Sequence, residues 1–352
     1  MRIKNLVINI NIVLTSVIIL LFFCECFTRG LVFVKNRHNL NSVINSLPKI
    51  KNGDEVYLAG MIQPSIHKKV IYELRPDIFV RYDRNKCFVK TNSQGWRSSR
   101  DYKIKKDKDT VRIIGLGDSF MFGSNVEQGS NLMDFLEAGL NERFPEKKWE
   151  VINTAVPGYN TVMEVETLKK KGLKYNPDIV IIEFIGNDAH LPNFIYKKED
   201  FLNTKRSFFW KFLLSRYRLL CFNFNLYESP LRSDCMAYEF DPSVVPEEFK
   251  DMVGWDSYVK AMMELKKMQV KHGFNVVSFL TLGYKNDKLF DISKRLKFNT
   301  TYNDAYNPHD LSLVISKTDP HPSALGHKRN AELLLNFMIS EGIIAQYLVL
   351  NE

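Results

Sequence analysis

The stretch Thr110-Val-Arg-Ile-Ile-Gly-Leu-Gly-Asp-Ser-Phe120 decides how this chain is read: a short apolar run ends at Gly117 and delivers Asp118 and Ser119 just ahead of a helical segment. An apolar run bounded by glycines has the pattern of a buried parallel strand, and the amphipathic stretch from Gln128 to Phe144 supplies a helix to cover it. Working outward, the alternation continues. A strand at Glu150-Val-Ile-Asn153 precedes a helix from Thr161 to Lys174, and a strand from Ile179 to Phe184 follows. After an insertion come a helix from Ser257 to His272, a strand opening at Asn275, and a final helix from Ala324 to Ile339. Strand and helix alternating at this spacing predict a parallel sheet with right-handed crossovers and helices on both faces. Ligands of open α/β sheets bind at the carboxyl ends of the strands, so Ser119 falls where chemistry is usually found. Alone, Gly-Asp-Ser-Phe is a weak signal, and a serine that merely caps the next helix is the ordinary reading.

Three further blocks change that weighting. They are Asn153-Thr-Ala-Val-Pro-Gly158, then Pro177-Asp-Ile-Val-Ile-Ile-Glu-Phe-Ile-Gly-Asn187-Asp188, and near the end Asp319-Pro-His321-Pro-Ser-Ala-Leu-Gly326. In this order the four blocks resemble the SGNH/GDSL hydrolase family, whose name-giving Ser, Gly, Asn and His map onto Ser119, Gly158, Asn187 and His321. The family's Asp, placed just before the His, matches Asp319. Many members space that pair as Asp-x-x-His; the shorter Asp319-x-His321, followed by Pro-Ser and a Gly, resembles a bacterial subgroup. The segment Asn92-Ser-Gln-Gly-Trp-Arg97 looks like the lead-in of membrane-anchored bacterial members. The resemblance implies a three-layer α/β/α fold on a parallel, flavodoxin-like sheet, spanning residues 109–345 with an insertion at about 191–253.

The chemistry of these side chains points the same way. A serine hydroxyl is a poor nucleophile at neutral pH and needs a base, for which His321 is the candidate. Asp319 would fix its tautomer and stabilise the imidazolium. Attack on an ester carbonyl places negative charge on oxygen, to be met by the backbone N–H groups of Ser119 and Gly158 and the side-chain amide of Asn187. Each residue also has an ordinary role: Pro157-Gly158 is a turn signal, Asn187-Asp188 a loop or helix cap, and the Asp319 block a rigid loop with Ser323 capping the last helix. Their joint occurrence favours the catalytic reading. His190, His309 and His327 read as loop or helix-end histidines, and no spacing of metal type accompanies them, so neither metal nor cofactor is expected.

Composition sets the context. The 352 residues are 45% hydrophobic with net charge +9, an ordinary globular balance whose basic residues are spread without a nucleic-acid motif. The run from Leu6 to Phe23 carries no charge and is long enough to cross a bilayer. It reads as an uncleaved signal anchor over residues 1–28, with a cleaved signal peptide as the alternative; Cys24 and Cys26 lack the small residues that precede a lipidated cysteine. Arginines and lysines balance across the run, so charge does not orient it, and the resemblance favours an extracytoplasmic catalytic domain. Residues 29–108 read as a linker and a small β-rich extension. Of the remaining Cys87, Cys221 and Cys235, at most one pair could form, such as Cys221 with Cys235. The segment Ser207-Phe-Phe-Trp-Lys-Phe-Leu-Leu-Ser-Arg-Tyr-Arg-Leu-Leu-Cys-Phe222 has three readings: a core helix, a lid over the site, or a surface-seeking element near the membrane. The expected partners are a small-molecule or glycan ester substrate and, through the N-terminal helix, a membrane. Serine ester hydrolysis is the leading reading, with O-acetyl glycans implied by the resemblance. Acyl transfer to a sugar, lipid or thioester hydrolysis, and a non-catalytic binding protein are the alternatives.

Overall fold

The computed structural model describes residues 2–37, 50–82, 86–195, 201, 204, 207–223, 245–281, 288–303, 307, 309–317 and 319–348. The proposed Cys221–Cys235 pair, most of the expected linker and much of the insertion lie outside them. Helix α1 (Arg2–Arg37) leads, and its segment Asn9–Val34 is long and apolar enough to cross a membrane, with mean hydropathy 2.4 and no buried residue in its most apolar stretch. The extension follows as short strands: β1 (Glu55–Val56), β2 (Ile62–Pro64), β3 (Tyr72–Leu74), β4 (Phe79–Tyr82) and β5 (Cys87–Lys90). They pair as β1-β4-β5 and as the β2-β3 hairpin. Buried Trp96 anchors this unit to the main body by packing its ring 4.9 Å from that of Tyr175.

The body is built on β6 (Thr110–Leu116), α2 (Ser119–Phe122), α3 (Leu132–Arg143), β7 (Lys148–Asn153), α4 (Thr161–Thr167) and β8 (Ile179–Phe184). Then come α5 (Phe208–Asn223), α6 (Trp255–His272), β9 (Asn275–Leu280), α7 (Lys288–Arg295), β10 (Asn299–Tyr302), β11 (Val314–Ser316), β12 (Asp319–Pro322) and α8 (Ala324–Ser340). The five strands pair in the order β10-β9-β8-β6-β7, all parallel. Renumbered within the sheet this is 2-1-3-4-5, the flavodoxin-like order. Helices α3 and α8 pack together on one face, α4 and α6 on the other. Every residue of β6 and of β8 is buried, as a central strand covered on both faces requires.

The chain reverses direction across the sheet between β6 and β8. That switch point opens a crevice at their carboxyl ends. Residues Ile113–Leu116 pair with Ile179–Ile182, a register that brings the segments after Leu116 and after Phe184 side by side.

Some sequence expectations are corrected. The third helix begins at Leu132 rather than Gln128, because the Asn131 side chain accepts from Met133 N–H and Asp134 N–H and caps it there. The helix expected to run to Lys174 stops at Thr167 and continues as a π-turn over Leu168–Gly172 and a 3-10 turn over Leu173–Tyr175. Asn176, left-handed at φ 50° and followed by Pro177, ends it. The terminal block lies in a ribbon, β12 pairing antiparallel with β11, rather than in a loop. Neither α7 nor the edge strand β10 was expected, since Asn-Thr-Thr-Tyr lacks an apolar signature.

Candidate active site

Three elements converge at the crevice. Strand β6 delivers Asp118, whose side chain accepts from Phe120 N–H at 3.0 Å and so caps the short helix α2 that begins with Ser119. The β11-β12 ribbon, folded against the start of α8, carries Asp319 and His321 across to the same point. Strand β8 delivers Asn187 in a turn fixed by Asp188, which accepts from Ile185 N–H at 2.6 Å and from Thr161 Oγ1 at 2.7 Å.

His321 Nε2 lies 2.8 Å from Ser119 Oγ, and its Nδ1 lies 2.5 Å from Asp319 Oδ1. Asp319 also accepts at Oδ1 from His321 N–H, 3.1 Å, and at Oδ2 from Asn125 Nδ2, 2.7 Å. The imidazole packs against the Phe120 ring, centroids 4.8 Å apart. His321 and Asp319 keep about a quarter of their side-chain surface exposed, so a substrate can reach them. Burial alone would raise the Asp319 carboxyl, but the hydrogen bonds and charge of His321 and the Asn125 amide outweigh it and hold the group below its ordinary value. Asp319 is therefore ionised and acceptor-only, which selects the tautomer with the proton on Nδ1 and leaves Nε2 free to accept from Ser119.

Asn187 joins through Asp118: its Nδ2 donates to Asp118 Oδ2 at 2.8 Å, and Ser119 Oγ lies 3.3 Å from the same oxygen. Because Nδ2 carries two hydrogens, one bond to Asp118 fixes the amide plane and leaves the second hydrogen for an incoming oxygen. Burial raises the Asp118 carboxyl, opposed by Phe120 N–H, Asn187 and His321. Gly158 sits in the loop after β7, which is tied to the β6 exit by Val156 N–H donating to Gly117 C=O at 3.3 Å. Its φ of +79° requires glycine, and the Asn193 side chain fills the space where a Cβ would stand. Among the described residues Gly158 shares no hydrogen bond with Ser119, Asn187, Asp319 or His321. It lines the same edge.

Two contributors were not singled out from sequence. Asn125, left-handed at φ 64°, holds the far oxygen of Asp319. Arg97, buried to 1% exposure, donates from its NH1 to Phe122 C=O at 2.8 Å and to Gly123 C=O, and from NH2 to Val126 C=O at 2.7 Å, fixing the loop that presents Asn125. No local sequence pattern marks Asn125; Arg97 lay within a noticed segment without an assigned task. His327 stands in the first turn of α8, as a helix-end residue, but on its buried face, 1% exposed and with no partner for either ring nitrogen among the described residues. Burial, with the nearby charges of Arg97 and His321, lowers its pKa to about 3. Among the described residues no group of three or more His, Cys, Asp or Glu is arranged to hold a metal.

A 2-1-3-4-5 parallel sheet carries Asp118-Ser119, Gly158 and Asn187 at its carboxyl edge, with Asp319 and His321 brought in just before the last helix. This is the parallel, flavodoxin-like arrangement expected from the sequence. No family model matches the chain, and no curated relative does. Solved structures similar to it include TesA, 12% identical over 64% of this chain and 97% of that one, TM-score 0.40. The psychrotrophic esterase EstA from Pseudoalteromonas sp. is 14% identical, over 67% and 98%, TM-score 0.39. A two-domain esterase active on acetylated mannans is 15% identical, over 66% and 49%, TM-score 0.40.

Proposed function

We propose that this chain is a serine ester hydrolase of the SGNH/GDSL type that works through an acyl-enzyme. The observation that carries the reading is the continuous chain of hydrogen bonds from Ser119 Oγ through the His321 imidazole to Asp319. In the first step His321 Nε2 takes the hydroxyl proton as Oγ attacks the ester carbonyl, and Asp319 holds the imidazolium that forms. Negative charge on the carbonyl oxygen is met by the N–H groups of Ser119 and Gly158 and by the free Nδ2 hydrogen of Asn187. Collapse expels the alcohol, which takes the proton back from Nε2. Water, deprotonated by the same nitrogen, then releases the acid.

The proposed substrates are O-acyl groups, O-acetyl above all, on glycans outside the cytoplasm, with the enzyme held at the membrane by α1. The resemblance of the four sequence blocks and of the Asn92–Arg97 segment to anchored bacterial members supports this substrate class. The experiment is labelling with a fluorophosphonate, paired with turnover of an acetylated glycan. Wild type is expected to label and to release acetate, and Ser119→Ala to do neither while remaining folded. Equal labelling of both, or acetate release that survives Ser119→Ala, overturns the proposal.

A further inference from the structure

Helix α5, in the insertion after the active-site strand β8, is joined to the N-terminal helix. Glu25 of α1 caps it: Glu25 Oε1 accepts from Phe208 N–H at 2.9 Å, and Oε2 accepts from Phe209 N–H at 2.9 Å and from Ser207 Oγ at 2.7 Å. A carboxylate here satisfies N–H groups that a helix start leaves without partners and complements its dipole. Arg29, one turn on, donates from Nε to the same Glu25 at 2.7 Å and places its guanidinium 4.6 Å from the centre of the Phe208 ring. Phe201 packs between Phe33 and Phe208, with ring centroids 5.3 and 5.9 Å away.

The docking covers only the start of α5, and every residue from Trp210 to Tyr217 is exposed. Trp210, Leu213, Leu214 and Tyr217 fall at i, i+3, i+4 and i+7, one stripe of the helix, and they are 61%, 40%, 42% and 64% exposed. A stripe of that spacing exists to be buried. What covers it follows from where α5 is attached. Glu25 lies 19 residues beyond Leu6, where the charge-free run begins. At about 1.5 Å per residue that is roughly 28 Å, one hydrocarbon thickness. With the charge-free run taken as the part in hydrocarbon, Glu25 stands at the level where α1 leaves it and α5 starts at that boundary, while the apolar helix continues past it to Val34. Its sequence, with Lys211, Arg216 and Arg218 among Trp, Tyr, Phe and Leu, has the composition of a helix lying in a headgroup layer.

We propose that α5 is a second membrane element, seated through its Trp210–Tyr217 stripe at the bilayer surface beside α1. The proposal rests on the reading that α1 crosses that bilayer. It ties the insertion that follows Asn187 to the lipid surface and so fixes the distance at which the esterase stands from the membrane.

Tryptophan fluorescence tests it: of the four tryptophans none lies in α1, Trp96 and Trp149 are buried at 2% and 1% exposure, and Trp255, half-buried at the start of α6, is unchanged in the variant and so cancels in the comparison. The full chain is placed in phosphatidylcholine–phosphatidylglycerol vesicles with and without 6,7-dibromo acyl chains. Brominated lipid is expected to quench part of the emission of wild type and none of that part in Trp210→Phe, with circular dichroism unchanged. Equal emission in the two lipids, or quenching that persists in Trp210→Phe, overturns the proposal. So do a helix folded over the active site and one paired with a second copy, since either leaves Trp210 out of the lipid. An alkaline carbonate wash separates the two readings. A chain that stays with the vesicles but is not quenched has lost only the α5 proposal, whereas a chain that washes off has lost the α1 span and α5 with it.

Discussion

Asn125 Nδ2 donates to Asp319 Oδ2 at 2.7 Å, across 194 residues of chain. Asp319 therefore does not face His321 alone: one oxygen takes the imidazole and the other is held by an amide that cannot titrate. The amide is in turn placed by backbone that the buried Arg97 guanidinium grips at three carbonyls. Asn125→Gly removes the side chain while keeping a residue suited to φ 64°. A hydrogen bond to a charged group contributes about 1.5–3 kcal/mol, so kcat is expected to fall by roughly 10- to 150-fold with KM little changed. Asn125→Asp, which sets a second carboxylate against Asp319, is expected to do worse, and its loss to grow with pH as the new acid ionises. Steady-state kinetics with an aryl acetate from pH 5 to 8 checks both; wild-type kcat in Asn125→Gly refutes the role.

Asn187 presents a different dependence, because Asp118 takes one of its two amide hydrogens at 2.8 Å and so aims the other. If that second hydrogen serves the oxyanion, Asn187→Ala costs about 3 kcal/mol of transition-state stabilisation, a few hundredfold in kcat. Fluorophosphonate labelling should slow with it, since the phosphonyl oxygen occupies the same place. Asp118→Asn tests the aiming: it keeps the shape but can offer its own amide hydrogen to Asn187, letting the Asn187 plane flip. A labelling rate unchanged in Asn187→Ala would remove this residue from the proposed oxyanion site.

The sheet and its carboxyl edge were legible because they rest on local signals. Apolar runs such as Ile179–Phe184 read as buried strands, and Gly117, Gly158 and Gly186 mark the strand exits. The ribbon β11-β12 was not legible, since Asp-Pro-His-Pro looks like a loop and becomes a strand only through pairing with Val314–Ser316. Asn125 and Arg97 were hidden for a related reason. Their roles consist of contacts to residues 25 to 194 positions away, and neither type is unusual where it stands. Nothing local marks the buried acids Glu164 and Glu183, which stand in a helix and a strand. Only burial distinguishes them.

His327 makes stability depend on acid. Its folded pKa of about 3 lies below the ordinary histidine value near 6.5, so the unfolded chain binds more protons between these values. Its contribution is thus complete above about pH 6.5 and is lost as pH falls toward 3. Between pH 7 and 5 the loss amounts to about 2 kcal/mol. His327→Leu keeps an apolar group where neither ring nitrogen has a partner and is expected to flatten this part of the profile. Urea midpoints at pH 7 and 5 measure it; an equal drop in wild type and variant would show that other groups carry the acid sensitivity.

Glu164 acts in the opposite sense. It is 2% exposed, neither carboxylate oxygen has a partner among the described residues, and Asp188, Asp118 and Glu183 are its charged neighbours. Burial first, then repulsion by those carboxylates, raises its pKa well above the ordinary value, so the folded protein holds this group neutral. Here the folded state binds the extra proton. The contribution is complete below the unfolded value near pH 4.3 and is lost as pH rises toward the folded one, at about 1.4 kcal/mol per pH unit. Glu164→Gln, neutral at every pH, is expected to be the more stable protein at pH 8 and to show little advantage at pH 5. Glu183, buried beside Gly117 with its Oε1 taking the Thr281 hydroxyl, keeps its own raised pKa, so the variant loses one proton's worth of slope rather than all of it. Thermal midpoints at pH 5 and 8 decide the matter, and parallel changes in the two proteins would place the Glu164 carboxyl in contact with solvent or a cation.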